Sequence, residues 1–260
     1  MKQLKSNLTD LRKIFENIRA RHICEIFQSH PLDTDSKIVK EDIEKKDFDV
    51  MGLSKNGIIC GYVNRCDLIN GSCKDYKNEF NVSDLTSDST PIIDCISLLK
   101  EKKRIFVLQK NMVNGIITRG DLQKAPVRML LFGLITLLEM QMQRIINNEF
   151  PNDTWKKHLK QNRIDKAENI LKLRKQRNED IGLLDCLQFC DKSNLITKID
   201  KIDKRFNIEN VKDYKKILSK IEKLRDKIAH SQDIVLGTTW SDIITSIEDL
   251  QNILSILESF

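Results

Sequence analysis

The chain has 260 residues, of which 40% are hydrophobic and 32% charged, and a net charge of +6. These values exclude wholesale disorder and suit two modest domains, each large enough to bury a core. Residues 1–126 carry 21 Lys/Arg against 18 Asp/Glu and residues 127–260 carry 23 against 20, so neither half has the excess that marks a nucleic-acid binder by global charge.

In chain order, the first segment is amphipathic. Leu4, Leu8, Leu11, Phe15, Ile18, Ile23, Ile26 and Phe27 recur every three to five residues, which predicts a helix over 1–30. It has no apolar stretch of the kind a signal peptide needs. Between about 37 and 126, helical stretches alternate with short β-rich runs such as Gly57–Val63 and Arg104–Leu108.

This half contains an internal repeat. Gly61-Tyr62-Val63-Asn64-Arg65-Cys66-Asp67-Leu68 aligns with Gly115-Ile116-Ile117-Thr118-Arg119-Gly120-Asp121-Leu122 at an offset of 54 residues. A strand-like pair precedes each copy, so each reads helix, strand, turn, strand, then a helix opening at the Asp-Leu. The glycine lets backbone approach closely. The Thr118 hydroxyl lies at a helix start, beside unpaired N–H groups, and Asp121 follows one turn later. Asp at this position also serves as a helix cap.

After about Pro126 the strand pattern ends, and the periodicity predicts helices near 127–148, 154–176, 178–191, 194–204, 209–229 and 239–258. The apolar run Met129–Leu138 is too short to span a bilayer and reads as a buried helix. Residues 154–177 hold nine Lys/Arg against Asp165 and Glu168, which suits either phosphate binding or a solvated helix face.

The seven cysteines are Cys24, Cys60, Cys66, Cys73, Cys95, Cys186 and Cys190. They form no CxxC pair and read as free thiols of a reducing cytoplasm, with no metal site. Cys186 and Cys190, at i and i+4, are expected on one helix as small core residues.

Near the end, Ile217, Ile221, Leu224 and Ile228 mark a helix that closes on Arg225-Asp226-Lys227-Ile228-Ala229-His230. A histidine can move a proton near neutral pH, and an arginine stays charged and can grip an oxyanion. Residues five apart stand about 140° from each other on an ideal helix, so the pair converges only at a helix end or across two copies. Arg225 is equally placed to pair with Glu222 or Asp226.

Residues 31–126 resemble a tandem CBS module, most specifically in the Gly–apolar–x–Ser/Thr–x–x–Asp segment. The resemblance implies small sheets with helices that bind an adenine nucleotide as regulatory ligand. Thr118 and Arg119 would lie at phosphate and Asp121 at ribose. Asn64 and Asp67 would form the corresponding first half-site, which departs from the pattern because Asn64 replaces the hydroxyl residue. Residues 127–260 resemble HEPN domains on Arg225-x4-His230, with Asp226 in support. That resemblance implies an all-α bundle and a homodimer whose two motifs cleave RNA with no cofactor or metal. The combined expectation is an α+β chain acting as a nucleotide-regulated cytoplasmic endoribonuclease, off the membrane. The alternative is a nucleotide sensor whose helical domain recruits a partner or belongs to a toxin–antitoxin or defence pair.

Overall fold

The computed structural model describes residues 13, 17–199, 201–202 and 211–260. They form an α+β chain of two compact units that meet between Val127 and Arg128.

The first unit is a duplicated strand–helix–strand–strand motif. In the first copy, β2 (Ser29–Pro31) leads into α1 (Ser36–Lys45) and then the hairpin β3 (Val50–Lys55) and β4 (Ile58–Asn64). In the second, β5 (Leu85–Ser87) leads into α2 (Ile92–Glu101), β6 (Arg104–Gln109) and β7 (Met112–Thr118). The short strand of each copy pairs parallel with the next, and each hairpin is antiparallel. Both hairpins slip register at the same place, between Leu53 and Ser54 and between Val107 and Leu108, again 54 residues apart. A bulge retained in both copies marks one structural unit used twice.

β1 (Glu25–Ile26) adds to β7 and completes the sheet order β1-β7-β6-β5 beside the sheet β2-β3-β4. The helix expected over 1–30 therefore does not run through its described end. Residues 1–12 and 14–16 of that expectation lie outside the described residues. Beyond them the chain makes a 3-10 turn at Ala20–His22 and enters β1 and β2. The reason is backbone pairing. Ala20 and Arg21 donate to the carbonyls of Thr90 and Asp88, Ile92 donates to Ile18, and Glu25 and Ile26 face Ile116 and Gly115. A short apolar run fits either period, and the ladder decides.

One core lies behind the first hairpin, where Val39 and Ile43 of α1 cover Met51, Leu53 and Val63. A second lies between the copies and is aromatic. Phe27, Tyr62 and Phe80 surround Phe106 with ring centroids 5.1, 5.0 and 4.8 Å away.

The second unit is all-helical among its described residues. α3 (Ala125–Glu149) has its first three residues before the boundary and is followed by α4 (Gln161–Lys175), α5 (Phe189–Ile196), α6 (Val211–Ala229) and α7 (Trp240–Glu258). α3 is long and apolar enough to cross a membrane by length and composition, but 61% of its most apolar window is buried. α6 packs on α5 and α7, burying Leu218, Ile221, Leu224 and Ile228.

The predicted helices at 154–176 and 178–191 are broken. Asn152 and Asp153 adopt left-handed backbone (φ 55° and 57°) inside a 3-10 segment, Pro151–His158, that precedes α4. Asp185 accepts from the N–H of Gly182 at 2.6 Å and Asp191 from that of Gln188 at 3.3 Å. Each aspartate starts a new turn by capping, so a 3-10 turn at Leu183–Cys186 and then α5 replace one helix. Cys186 and Cys190 accordingly sit on different elements.

Candidate functional site

The two repeat segments end equivalent strands, and each closes in a 3-10 turn, Arg65–Asp67 and Arg119–Gln123. Neither opens directly into the α-helix expected at the Asp-Leu. In the first copy the chain turns instead through Gly71, at φ 97°, into further 3-10 turns. In the second, α3 begins only at Ala125.

The structure brings Thr118 and Asp121 together. Asp121 Oδ2 accepts from the Thr118 N–H at 2.7 Å and from its hydroxyl at 2.9 Å. The other oxygen, Oδ1, is 2.8 Å from Lys124 Nζ. That ammonium also donates to Ile23 O at 2.6 Å and to Glu25. Burial opposes the Lys124 charge, but hydrogen bonds and attraction from Asp121 and Glu25 outweigh it and hold the pKa above the ordinary value. Asp121 is 7% exposed. Its capping role, one of the two readings open from sequence, is realised here, and the same device recurs at Thr239–Asp242.

Arg119 is engaged by the backbone of α2. Its Nε and NH2 donate to the carbonyls of Leu99 and Lys100 at 2.8 and 2.7 Å, closing the end of α2. Those bonds occupy the guanidinium in satisfying helix-end acceptors.

The first half-site is more open. Asn64 Nδ2 donates to Asp67 Oδ2 at 2.8 Å, and the Cys66 thiol donates to Asp67 Oδ1 at 3.2 Å. These two bonds hold the Asp67 carboxyl below its usual range. Asp67 and Cys66 are exposed.

Sequence reasoning missed Arg104. It is the first residue of β6, paired in register with Thr118, yet its NH1 reaches Asn64 Oδ1 at 3.1 Å. Its guanidinium lies 6.0 Å from the centre of the Tyr62 ring. One cation thus joins the strand of one half-site to the side chain of the other. The available signal was its place opposite Thr118 once the hairpin is drawn.

The repeat glycines do serve close approach, but the chain itself fills the space. A Cβ on Gly61 would lie 2.7 Å from Asn78 O, because residue 78 bridges Tyr62 through two backbone bonds of 3.0 and 2.7 Å. A Cβ on Gly115 would meet Val107 at 3.0 Å and Cys24 at 3.4 Å.

In the helical unit, α6 ends where expected. Ser231 takes φ 53°, Ser231 N–H donates to Ile228 O, and Gln232 N–H donates to Lys227 O at 2.9 Å. This is a left-handed helix cap. It leaves His230 exposed immediately after Ala229. Arg225 donates to its neighbour Asp226 Oδ1 at 3.1 and 2.8 Å and lies 5.6 Å over the Phe189 ring. The Asp226 carbonyl accepts from the His230 N–H at 3.0 Å. Asp226 therefore touches both residues, but among the described residues no hydrogen bond or ion pair joins Arg225 to His230 within one chain.

Among the described residues no group of three or more His, Cys, Asp or Glu is arranged to hold a metal. No family model and no curated protein matches the chain. It is similar to several solved structures. One is CBSX2 in complex with AMP, at TM-score 0.39 and 16% identity over 43% of this chain and 98% of that one. Another is CBSX2 from Arabidopsis thaliana, at TM-score 0.39 and 17% identity over 44% and 96%. A third is the CBS domain of a bacterial CNNM/CorC family Mg2+ transporter in complex with ATP, at TM-score 0.37 and 8% identity over 48% and 97%.

Proposed function

We propose that the first unit binds an adenine nucleotide at the paired turns and that this binding regulates the helical unit. The observation that carries the reading is Arg104, a guanidinium that reaches Asn64 from the strand residue opposite Thr118. A ligand with a phosphate and a ribose meets the chemistry around it. Arg104 supplies a permanent charge for phosphate, and Asp67 is an exposed, ionised acceptor for ribose hydroxyls. Asp67 offers the more accessible carboxylate, because Asp121 is already engaged by Thr118 and Lys124. A ligand hydroxyl that takes Asp121 must compete with Lys124, the residue directly before α3, which gives occupancy a route to that helix. Isothermal calorimetry of the full chain with AMP, ADP and ATP tests this. Binding that is lost in Arg104→Gln and Asp67→Ala supports it, and no heat with any of the three rejects it.

A second reading follows from the end of α6. Asp226 holds Arg225 through its carboxylate and the His230 backbone through its carbonyl, with His230 open to solvent. We propose that two such ends face each other in a homodimer, with the histidine of one and the arginine of the other on opposite sides of one phosphate. We infer that the helical unit then cleaves RNA without metal. The competing role is recruitment of an antitoxin or other regulatory protein by the same unit. Incubating the purified chain with RNA in EDTA separates the two.

A further inference from the structure

Helix α4 is held to its unit by few side chains. Ile164 and Ala167 are buried and Leu171 is half-buried, while Ile170 and Leu173 are 39% and 58% exposed. An isolated exposed leucine is ordinary. Here the exposed pair belongs to a pattern. Lys166, Ile170 and Leu173 follow one another at i, i+4 and i+7 and so share one stripe, turned away from the buried one, and Arg177 follows in the turn just past the end of α4. Lys166 and Arg177 are exposed, and among the described residues no ion pair joins either. Of the other cations of α4, Arg163 is neutralised by Asp191 at 2.7 Å and Arg174 by Glu179 at 2.6 Å, while Lys172 and Lys175 are exposed at positions off the stripe. The acidic residues of α4, Asp165 and Glu168, lie about 100° or more off the stripe. The outward face therefore reads cation, apolar, apolar, with a second cation in the turn beyond the helix end.

Charge decides what fits it. A second copy of the stripe, paired antiparallel, sets Lys166 against Arg177, and paired parallel it sets each cation on itself, so both arrangements repel. The chain's own first 15 residues carry Lys2, Lys5, Arg12 and Lys13 against Asp10 and have the wrong sign. Nucleic acid suits the cations but not two aliphatic side chains, because unpaired bases stack on aromatic rings. A lipid surface needs a broader apolar face than two residues, with polar Asn162 and Asn169 close by.

We infer that α4 docks an acidic amphipathic helix of a partner protein, with apolar residues at i and i+3 covering Ile170 and Leu173 and carboxylates one turn beyond each end meeting Lys166 and Arg177. The test uses the full chain and fluorescence anisotropy with a synthetic helical peptide that carries leucines at i and i+3 and glutamates at i−4 and i+7. Binding should weaken about tenfold or more in Ile170→Ser/Leu173→Ser and in Lys166→Glu/Arg177→Glu, the scale of lost interface anchors. All four side chains are exposed, so helicity by circular dichroism should not change. The same peptide with lysines in place of glutamates should bind the Lys166→Glu/Arg177→Glu variant. Failure of the wild-type chain to bind the acidic peptide overturns the proposal, as does binding insensitive to Ile170→Ser/Leu173→Ser. Preferential binding of single-stranded oligo(U), or of phosphatidylserine–phosphatidylcholine vesicles, lost only on charge reversal, also overturns it.

Discussion

Arg104 donates to Asn64 across 3.1 Å, joining the first residue of β6 to the last residue of β4. Neither residue belongs to the other's hairpin. The bond exists because the two hairpins pack against each other over the Phe106 cluster, with Tyr62 beneath the guanidinium. In the proposed nucleotide site this cation reaches the first half-site from the strand residue that pairs with Thr118 of the second. Arg104→Gln should weaken nucleotide binding by about 1.5–3 kcal/mol, the worth of hydrogen bonds to a charged group. Calorimetry measures it. Arg104→Lys, which keeps the charge but loses the fork, should recover only part of the affinity.

Cys66 gives an independent readout of the same half-site. Its thiol is exposed and donates to Asp67, and that bond, with burial and the nearby negative charge, raises its pKa. A raised pKa means less thiolate at a given pH, so alkylation should accelerate as pH rises through an elevated midpoint. Asp67→Asn should lower that midpoint and speed the reaction. Cys95, buried and pushed up to about 12, should stay inert in the native state. Nucleotide should slow Cys66 labelling in wild type and leave it unchanged in Arg104→Gln. Peptide mapping after iodoacetamide resolves these cases.

Much of this arrangement is legible in the sequence, at the level where one pattern dominates. The 54-residue offset appears in residues 61–68 and 115–122 and again in the bulges beside Leu53 and Val107. The helix end at His230 follows from the polar residues after it. The broken stretch 178–191 was not legible, because Leu183, Leu184 and Leu187 keep a helical period while Asp185 and Asp191 cap new turns inside it. Ile23, Ile26 and Phe27 misled for a similar reason, since only the distant partner segments around Thr90 and Ile116 make them extended. At the candidate site, Thr118 with Asp121 is a local pair and readable. Arg104 with Asn64 lies 40 residues apart and depends on how two hairpins pack.

Asp191 should matter for stability rather than for binding. It is 4% exposed, accepts both arms of Arg163 at 2.7 Å and caps α5 at Gln188. Asp191→Ala leaves the Arg163 charge unpaired beside Cys190. Removing one partner of a fully buried pair costs about 3–5 kcal/mol, and the partly exposed guanidinium reduces this to about 2–3. Both tryptophans, Trp155 and Trp240, lie in the helical unit, so tryptophan fluorescence during urea unfolding reports on that unit. The midpoint should fall markedly in Asp191→Ala.

The start of α7 gives a pH-dependent case. The Thr239 hydroxyl donates to Asp242 at 2.6 Å, and that bond, with the Thr239 N–H, holds the Asp242 carboxyl below its ordinary range. A depressed folded pKa adds stability that is present above the unfolded carboxylate pKa and lost as pH falls through the folded one. Thr239→Ala should cost about 0.5–2 kcal/mol near neutrality, the usual worth of an N-cap. That deficit should shrink as the solution is acidified through the carboxylate range. Thermal unfolding at a series of pH values checks both the size and the trend.

The RNA-cleaving reading makes the sharpest demand on α6. Arg225 is half-buried against Phe189 and tied to Asp226, while His230 is exposed one residue past the helix. The two do not converge within one chain, so cleavage requires His230 from one copy and Arg225 from another. Light scattering should then show a dimer. Cleavage should persist in EDTA and leave a 2′,3′-cyclic phosphate, because the attacking group is the neighbouring 2′-hydroxyl. His230→Ala should lose about 10²–10⁴-fold in rate, the contribution of a positioned acid or base. Arg225→Ala should lose about 10²–10³-fold through lost stabilisation of the developing charge. Neither change removes a core side chain, so both variants should keep wild-type helicity. The decisive measurement mixes the two inactive variants. If the site is shared between copies, a mixed dimer rebuilds one intact Arg225–His230 pair and part of the activity returns. If each chain acts alone, mixing restores nothing and the composite site is refuted. Cleavage undiminished in His230→Ala rejects the mechanism altogether and leaves the helical unit its recruitment role.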